Sequence, residues 1–542
     1  MAPSVLSGPV AAARTALDLG SGTARAVIAL TRSGVVRPMG PERLFGVGRA
    51  VYRYGYSVTA GFAVGAARHP YRLAVVDDDG VITYAELDER TDRLALGLAA
   101  TGAGPGAPVG ILCRNHRAPV EVMVAAGKCG ADVVLLNTGL STDQMRGVQE
   151  QQELHTVVAD HDLLDVLPKG PRVVSTDGDG AGSLEALVAA GGPGELPLRP
   201  ERSKLIVLTS GTTGTPKGAK RPHPSTLSPA ASILSTIPLQ AGDPVLISAP
   251  LFHTWGNAGL LLAALHGSTV VLQRRFEPES FLDIVDRRRV QTVFAVPVML
   301  QRVMEQTDGG WRGPHRPRIV AVSGSALPAG QASEFMDRFG DCLYNLYGST
   351  EVSWVSIASP ADLRAAPGTA GRAPYGTTLV ILGDNDRPVP AGQDGRVFVG
   401  NDLQFEGYTG DQASPEQWEG LVGTGDVGHL DEAGRLHLTG RADDMIVSGG
   451  ENVHPGPVEE LIAGADGVRE VCVLGVDDEQ YGQRLAAYVV AEPGADLTEE
   501  GIRDLVKREL ATFAVPRDVV FLDDLPRNQT GKVLRTELPD RG

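Results

Sequence analysis

At 542 residues the chain exceeds the roughly 250–300 residues at which single cores stop growing, so two or more domains are expected. A net charge of −17 argues against a nucleic-acid partner, which demands basic surface. No apolar run reaches the roughly 18 residues of a membrane-spanning helix, and Cys113, Cys129, Cys342 and Cys472 have neither metal-ligand nor disulfide spacing.

The opening MAPSVLSGPVAAAR has no basic start and no sustained apolar core. It does not read as a signal peptide, and a cytoplasmic protein is expected. Residues 1–75 nevertheless carry nine arginines against Asp18 and Glu42, the reverse of the overall charge. This basic arm, taken as residues 1–70, also holds Val27, Ile28, Leu44, Phe45, Val51 and Tyr52. It either packs a helical face on its own domain, which base rates favour, or touches a membrane surface or the partner subunit of a homodimer.

Beyond the arm, YRLAVVDDDGVITY predicts two short strands around an Asp-Gly turn. Thr83 and Glu86 have capping-box spacing and open a helix through LDERTDRLALGLAA that stops near Gly102. Strand-like VGILC, VVLLN, HTVVAD, LISAP and RIVAVSG follow, separated by helix-like stretches, until about residue 340. That alternation predicts parallel, doubly wound sheets. From about residue 367 short glycine-rich strands such as GRVFVG and GRLHLTG predict a small β-rich unit. From about residue 444, VEELIAG, VREVCVLGV, RLAAYVVA and EEGIRDLVKREL predict a compact α+β domain. The expected fold class is α/β: a large N-terminal domain of doubly wound sheets plus the β-rich unit, residues 71–442, then a small mobile α+β domain, residues 443–542.

One stretch stands out chemically. VLTSGTTGTPKGAK, residues 207–220, concentrates glycines, hydroxyls and two lysines after the strand-like KLIVL. Glycines let backbone N–H groups approach phosphate oxygens, and the hydroxyls add donors. A Walker loop is disfavoured, because Pro216 replaces its second glycine and Gly218 follows Lys217. No H-R-D or D-F-G motif supports a kinase. The alternative is an ordinary Gly/Thr turn. Only seven of the chain's 49 basic residues are lysine, so Lys217 and Lys532 look selected as compact point charges.

TSGTTGTPKG resembles the phosphate loop of the adenylate-forming superfamily, which includes acyl-CoA synthetases, peptide-synthetase adenylation domains and luciferases. PLFHTWG (250–256), VSGSALP (322–328), YNLYGSTE (344–351), TGD (424–426), GRADDMIVSGGENVHP (440–455) and PRNQTGKVLR (526–535) match further motifs in the expected order. The resemblance spans roughly residues 70–540 and is nearest to fatty-acyl-CoA synthetases. It implies two half-reactions: an acid and Mg²⁺-ATP give an acyl-adenylate, and a thiol then displaces AMP.

Residue by residue, the resemblance implies that Thr209, Ser210, Gly211, Thr212, Thr213, Gly214 and Lys217 hold the terminal phosphates. Thr350 and Glu351 stand at the α-phosphate and Mg²⁺. Gly324, Ser325 and Ala326 read the adenine edge, beside Tyr347 and Gly348. Asp426 and Arg441 hold the ribose, and Lys532 bridges carboxylate and α-phosphate. Asp443 is the hinge of a domain alternation. Gly449 and Gly450, within the loop from Ser448 to Glu451, face the thiol tunnel. His253 gates the carboxylate, and Trp255, Gly256 and Gly259 line the acid pocket.

No Asp or Glu stands between Phe252 and Phe276, so a substrate ammonium would lack a partner. A hydrophobic carboxylic acid is expected. Coenzyme A is the expected thiol, since no carrier-protein domain follows Gly542, with a separate carrier protein as the alternative. A relative performing one half-reaction is a second alternative. A catalytically silent scaffold is least expected, because Lys217, Glu351, Asp426, Arg441 and Lys532 are all present.

Overall fold

The computed structural model describes residues 24–539 apart from 193, 210–216, 221–223, 308, 404–406, 409–414, 443, 449–450, 479–481 and 529–530. Two large sheets organise the first part of the chain. One has seven strands, with Val133–Leu135, Val109–Leu112 and Thr156–Ala159 at its centre; the other has eight, with Val245–Ile247, Thr292–Ala295 and Ile319–Val322 at its centre. These central strands are wholly buried apart from their chain neighbours, and they pair in parallel. Continuous Val/Ile/Leu runs suit strands covered on both faces.

The doubly wound reading is met, with antiparallel pairs confined to the margins. Gly80–Thr83 returns on Leu73–Asp77, Ser356–Ala358 on Leu343–Tyr347, and Lys217–Lys220 on Leu205–Thr209. Between the sheets lies helix Arg117–Cys129, buried at every position from Ala118 onward. The predicted capping box is present: Thr83 accepts from the Glu86 amide, and the Glu86 carboxylate accepts from the Thr83 amide, closing helix Tyr84–Ala100 at its start.

The β-rich unit is a five-stranded antiparallel sheet that includes Thr378–Leu382, Gly395–Gly400, Leu421–Leu430 and Leu436–Arg441. The C-terminal unit pairs Val468–Asp478 with Gly482–Ala491 and covers one face with helices Pro455–Ala463 and Glu499–Glu509. Ile462, Val473, Leu485 and Val506 form its separate core. Glu470 joins this unit to the large one: its carboxylate accepts from Gln301 at 3.1 Å, and from Arg527 of its own unit at 2.5 Å.

Upstream, residues 24–32, Pro41–Tyr54 and Val58–Arg68 are helical. Gly61 lets the third of these helices lie against helix Thr254–Leu265, since a Cβ there would sit 2.7 Å from the Ala264 methyl. Arginines fasten the arm: Arg37 donates to the Ala241 carbonyl, Arg53 to that of Pro197, and Arg68 to that of Val35. No helix among the described residues is long and apolar enough to cross a membrane.

Candidate active site

Strands Ile319–Val322 and Leu343–Tyr347 run side by side in parallel, and ligands of open α/β sheets bind beyond the carboxyl ends of such strands. Here those ends lead into Ser323-Gly324 and Gly348 to Glu351. Gly324 adopts φ +98°, and a Cβ on Gly348 would lie 2.3 Å from the Ser353 carbonyl oxygen. Both turns therefore require glycine.

A cavity of about 810 Å³ opens there, within the range of small-molecule sites. Gly324, Gly348, Thr350, Glu351, His253 and Lys532 all reach its wall. The sequence separates these groups by nearly 280 positions at most; the fold brings them to one chamber. Lys532 arrives from the C-terminal unit, where its amide donates to the Asn528 side chain at 2.9 Å. Its neighbour Gly531 fits closely against Val298 of helix Pro297–Glu305.

His253 is the N-cap residue of helix Thr254–Leu265. Burial lowers its pKa to about 4, so the imidazole is neutral at pH 7. Its Nε2 is buried and has no partner among the described residues. A neutral imidazole can donate one hydrogen bond to a carboxylate, and the helix N-terminus favours negative charge there.

Asp426 and Arg441 face each other across two antiparallel strands, with Arg441 Nη1 3.7 Å from Asp426 Oδ1. The Tyr347 hydroxyl donates to the other carboxylate oxygen. Burial, with Asp426 beside it, pushes the Tyr347 phenol well up, so it stays protonated. This cluster adjoins the cavity and does not form its wall. Ser325 and Ala326, which follow Gly324, are likewise absent from the wall.

The residues expected at the acid pocket divide between the cavity wall and the helix packing. Trp255 lines the cavity, and its indole donates to the Ala295 carbonyl at 3.0 Å. Gly256 and Gly259 do not line it: a Cβ on Gly256 would meet the Pro250 oxygen at 2.2 Å, and one on Gly259 the Phe294 ring at 2.9 Å. They let the helix press against its neighbours. The open face instead carries Asn257, Ala258, Leu261, Leu262 and Leu265. Helical spacing of four from His253 puts Asn257, Leu261 and Leu265 on that face.

Ser210, Gly211, Thr212, Thr213, Gly214, Asp443, Gly449 and Gly450 lie outside the described residues. Thr209 and Lys217 end and begin the antiparallel strands that flank the phosphate-loop sequence.

Comparison with known proteins agrees with this geometry. The AMP-binding enzyme family profile matches residues 62–409, and that of the AMP-binding enzyme C-terminal domain matches residues 457–532. The chain belongs to the AMP-binding enzyme family. Feruloyl-CoA synthase of an Amycolatopsis species is 34% identical over 490 residues, covering 88% of this chain and 97% of that protein. The o-succinylbenzoate CoA synthetase of Bacillus subtilis, solved with its acyl-adenylate intermediate, superposes with a TM-score of 0.77 at 27% identity, over 89% of this chain and 98% of the other. ATP-bound MatB from Rhodopseudomonas palustris gives a TM-score of 0.79 at 27% identity, over 89% and 97%. The family's chemistry draws on ATP, Mg²⁺ and coenzyme A.

Proposed function

We propose that this AMP-forming acid–thiol ligase activates a hydrophobic carboxylic acid, fatty or otherwise bulky and apolar, and passes the acyl group to coenzyme A. The observation that carries the reading is the shared chamber. His253, Thr350, Glu351 and Lys532 line it together with the apolar Ala258, Leu261 and Leu265. No acidic residue occurs on helix Thr254–Leu265 to hold a substrate ammonium.

In the first half-reaction two anions must approach each other. The Lys532 ammonium would neutralise charge between the acid's carboxylate and the α-phosphate, where it counts most in the transition state. His253, neutral and with its Nε2 unpartnered among the described residues, would orient the carboxylate. The Glu351 carboxylate and Thr350 hydroxyl fit a hard cation, which takes oxygen ligands, and Mg²⁺ bound there would supply charge neutralisation to the phosphates. Asp426 would accept from the ribose hydroxyls, held in place by Tyr347 and assisted by Arg441.

Within this reading residues 71–442 form the AMP-binding domain and residues 443–542 a lid that turns about Asp443. After adenylation the lid would withdraw Lys532 and present the 448–451 loop to the thiol. The outer surface of the arm, with exposed Ile28, Phe45 and Tyr52 among arginines, supports contact with an anionic membrane surface. Pyrophosphate release and acyl-AMP, followed by mass over a panel of apolar acids before and after CoA addition, test the function. Acyl-AMP that becomes acyl-CoA is expected. No adenylate from any apolar acid would refute the substrate class, and adenylate that transfers only to a carrier protein would replace CoA as acceptor.

A further inference from the structure

The cavity does not end within the family's common body. Its wall continues onto residues that precede the family match at residue 62: Val35, Met39, Leu44, Val47 and Val51 all reach it. The last three stand at i, i+3 and i+7 of helix Pro41–Tyr54, a spacing that places them in one stripe. Leu261 and Leu265, in the last turns of the helix that His253 begins, line the same cavity. Leu44 is 59% exposed and stands at the opening, whereas Val35 is 8% exposed.

The arm is therefore built as a roof. Arg37 bonds the Ala241 carbonyl and Arg53 that of Pro197, so the two guanidiniums tie the arm to the body while both residues share the cavity wall with the apolar stripe. This gives the basic composition of the segment a structural use, since each guanidinium can satisfy carbonyls while its stem covers apolar surface.

Building on the hydrophobic-acid reading, we infer that the N-terminal arm completes a distal subsite for the end of a long unbranched alkyl chain and sets the longest chain accepted. From Thr254 to Leu265 the helix spans about 16 Å at about 1.5 Å per residue. A zigzag carbon chain with bonds near 1.5 Å advances about 1.25 Å per carbon, so about a dozen carbons reach the roof. Each methylene newly buried there strengthens binding by about fourfold.

The test uses the full chain with Val47→Trp and Val51→Trp, which fill the roof stripe and touch none of the groups placed at the reacting end. Straight-chain acids of six to eighteen carbons are compared by kcat/KM for pyrophosphate release, and by displacement of the fluorescent probe 11-(dansylamino)undecanoic acid. In the unaltered protein both measures should rise with length to about twelve or more carbons. In the variants, acids of twelve carbons and longer should lose tenfold or more, with six- and eight-carbon acids within about twofold. Equal losses at every length, or unchanged length dependence in variants that melt normally, would overturn the inference. Absence of turnover with all acids would refute the substrate reading alone, because probe displacement still reports whether the roof limits chain length.

Discussion

Gly531 offers a direct test of how Lys532 reaches the chamber. The residue has φ +80°, and a Cβ added to it would stand 2.4 Å from Val298 Cγ1 and 3.1 Å from Val298 Cβ. Carbon atoms prefer about 3.5–4.0 Å, so Gly531→Ala overlaps Val298 by roughly 1 Å. Two penalties result. Left-handed strain of about 1–2 kcal/mol stays within the loop wherever the C-terminal unit sits. The overlap, about 1–3 kcal/mol by analogy with overpacked cores, arises only while that unit seats Lys532 against helix Pro297–Glu305. Adenylation should therefore fall by about 5- to 150-fold, while thioester formation from supplied acyl-adenylate changes less than about threefold. Val298→Ala removes the offending methyl, so the double variant should recover most of the lost adenylation. A pre-steady-state pyrophosphate assay on the four proteins yields the coupling directly. Equal loss in both half-reactions, or no recovery in the double variant, would refute a seating-specific role for this contact.

Other consequences are open to measurement. Lys532→Ala should reduce adenylate formation by at least a hundredfold yet leave acyl transfer from synthetic acyl-AMP to CoA intact, and parallel loss of both would sink the division of labour. Tyr347→Phe removes the hydroxyl that steadies Asp426; a bond to a charged group is worth about 1.5–3 kcal/mol, so KM for ATP should rise roughly tenfold or more with kcat little changed, and an unchanged KM would count against the ribose assignment. Burial holds His253 and His266 down to about 4 from 6.5. The unfolded chain therefore binds more protons between those values, and stability falls as pH drops through that window, by about 2 kcal/mol per histidine at pH 5. Urea midpoints at pH 7 and pH 5 should show this loss, reduced by about half of the two-histidine share in His266→Gln; identical pH dependence in that variant would exclude His266 as a source.

Local chemistry was readable along the chain because it depends on near neighbours. The Thr83 and Glu86 box, the Asp-Gly hairpin turn and the buried runs around Val109, Val133 and Thr156 all express preferences that act over a few residues. The order of short motifs likewise announced the family, since His253, Glu351, Asp426 and Lys532 stand in segments with recognisable wording. Within the same wording, Gly256 and Gly259 lie off the cavity wall, against neighbouring elements. A motif specifies which residues recur, whereas the face each one presents depends on what the helix packs against, here Pro250 and Phe294.

The sequence by itself determined the α/β class and the separate C-terminal unit, because periodicity and caps are written locally, and its ordered motifs carried the resemblance that implied adenylate-forming chemistry. Only the tertiary structure decided that Lys532 and His253 share a chamber, that Tyr347 is spent on Asp426, and that an arginine-bound arm roofs the far end of the cavity. Those relations join residues tens to hundreds of positions apart. Their geometry follows from the packing of sheets, helices and arm against one another, and no local preference encodes it.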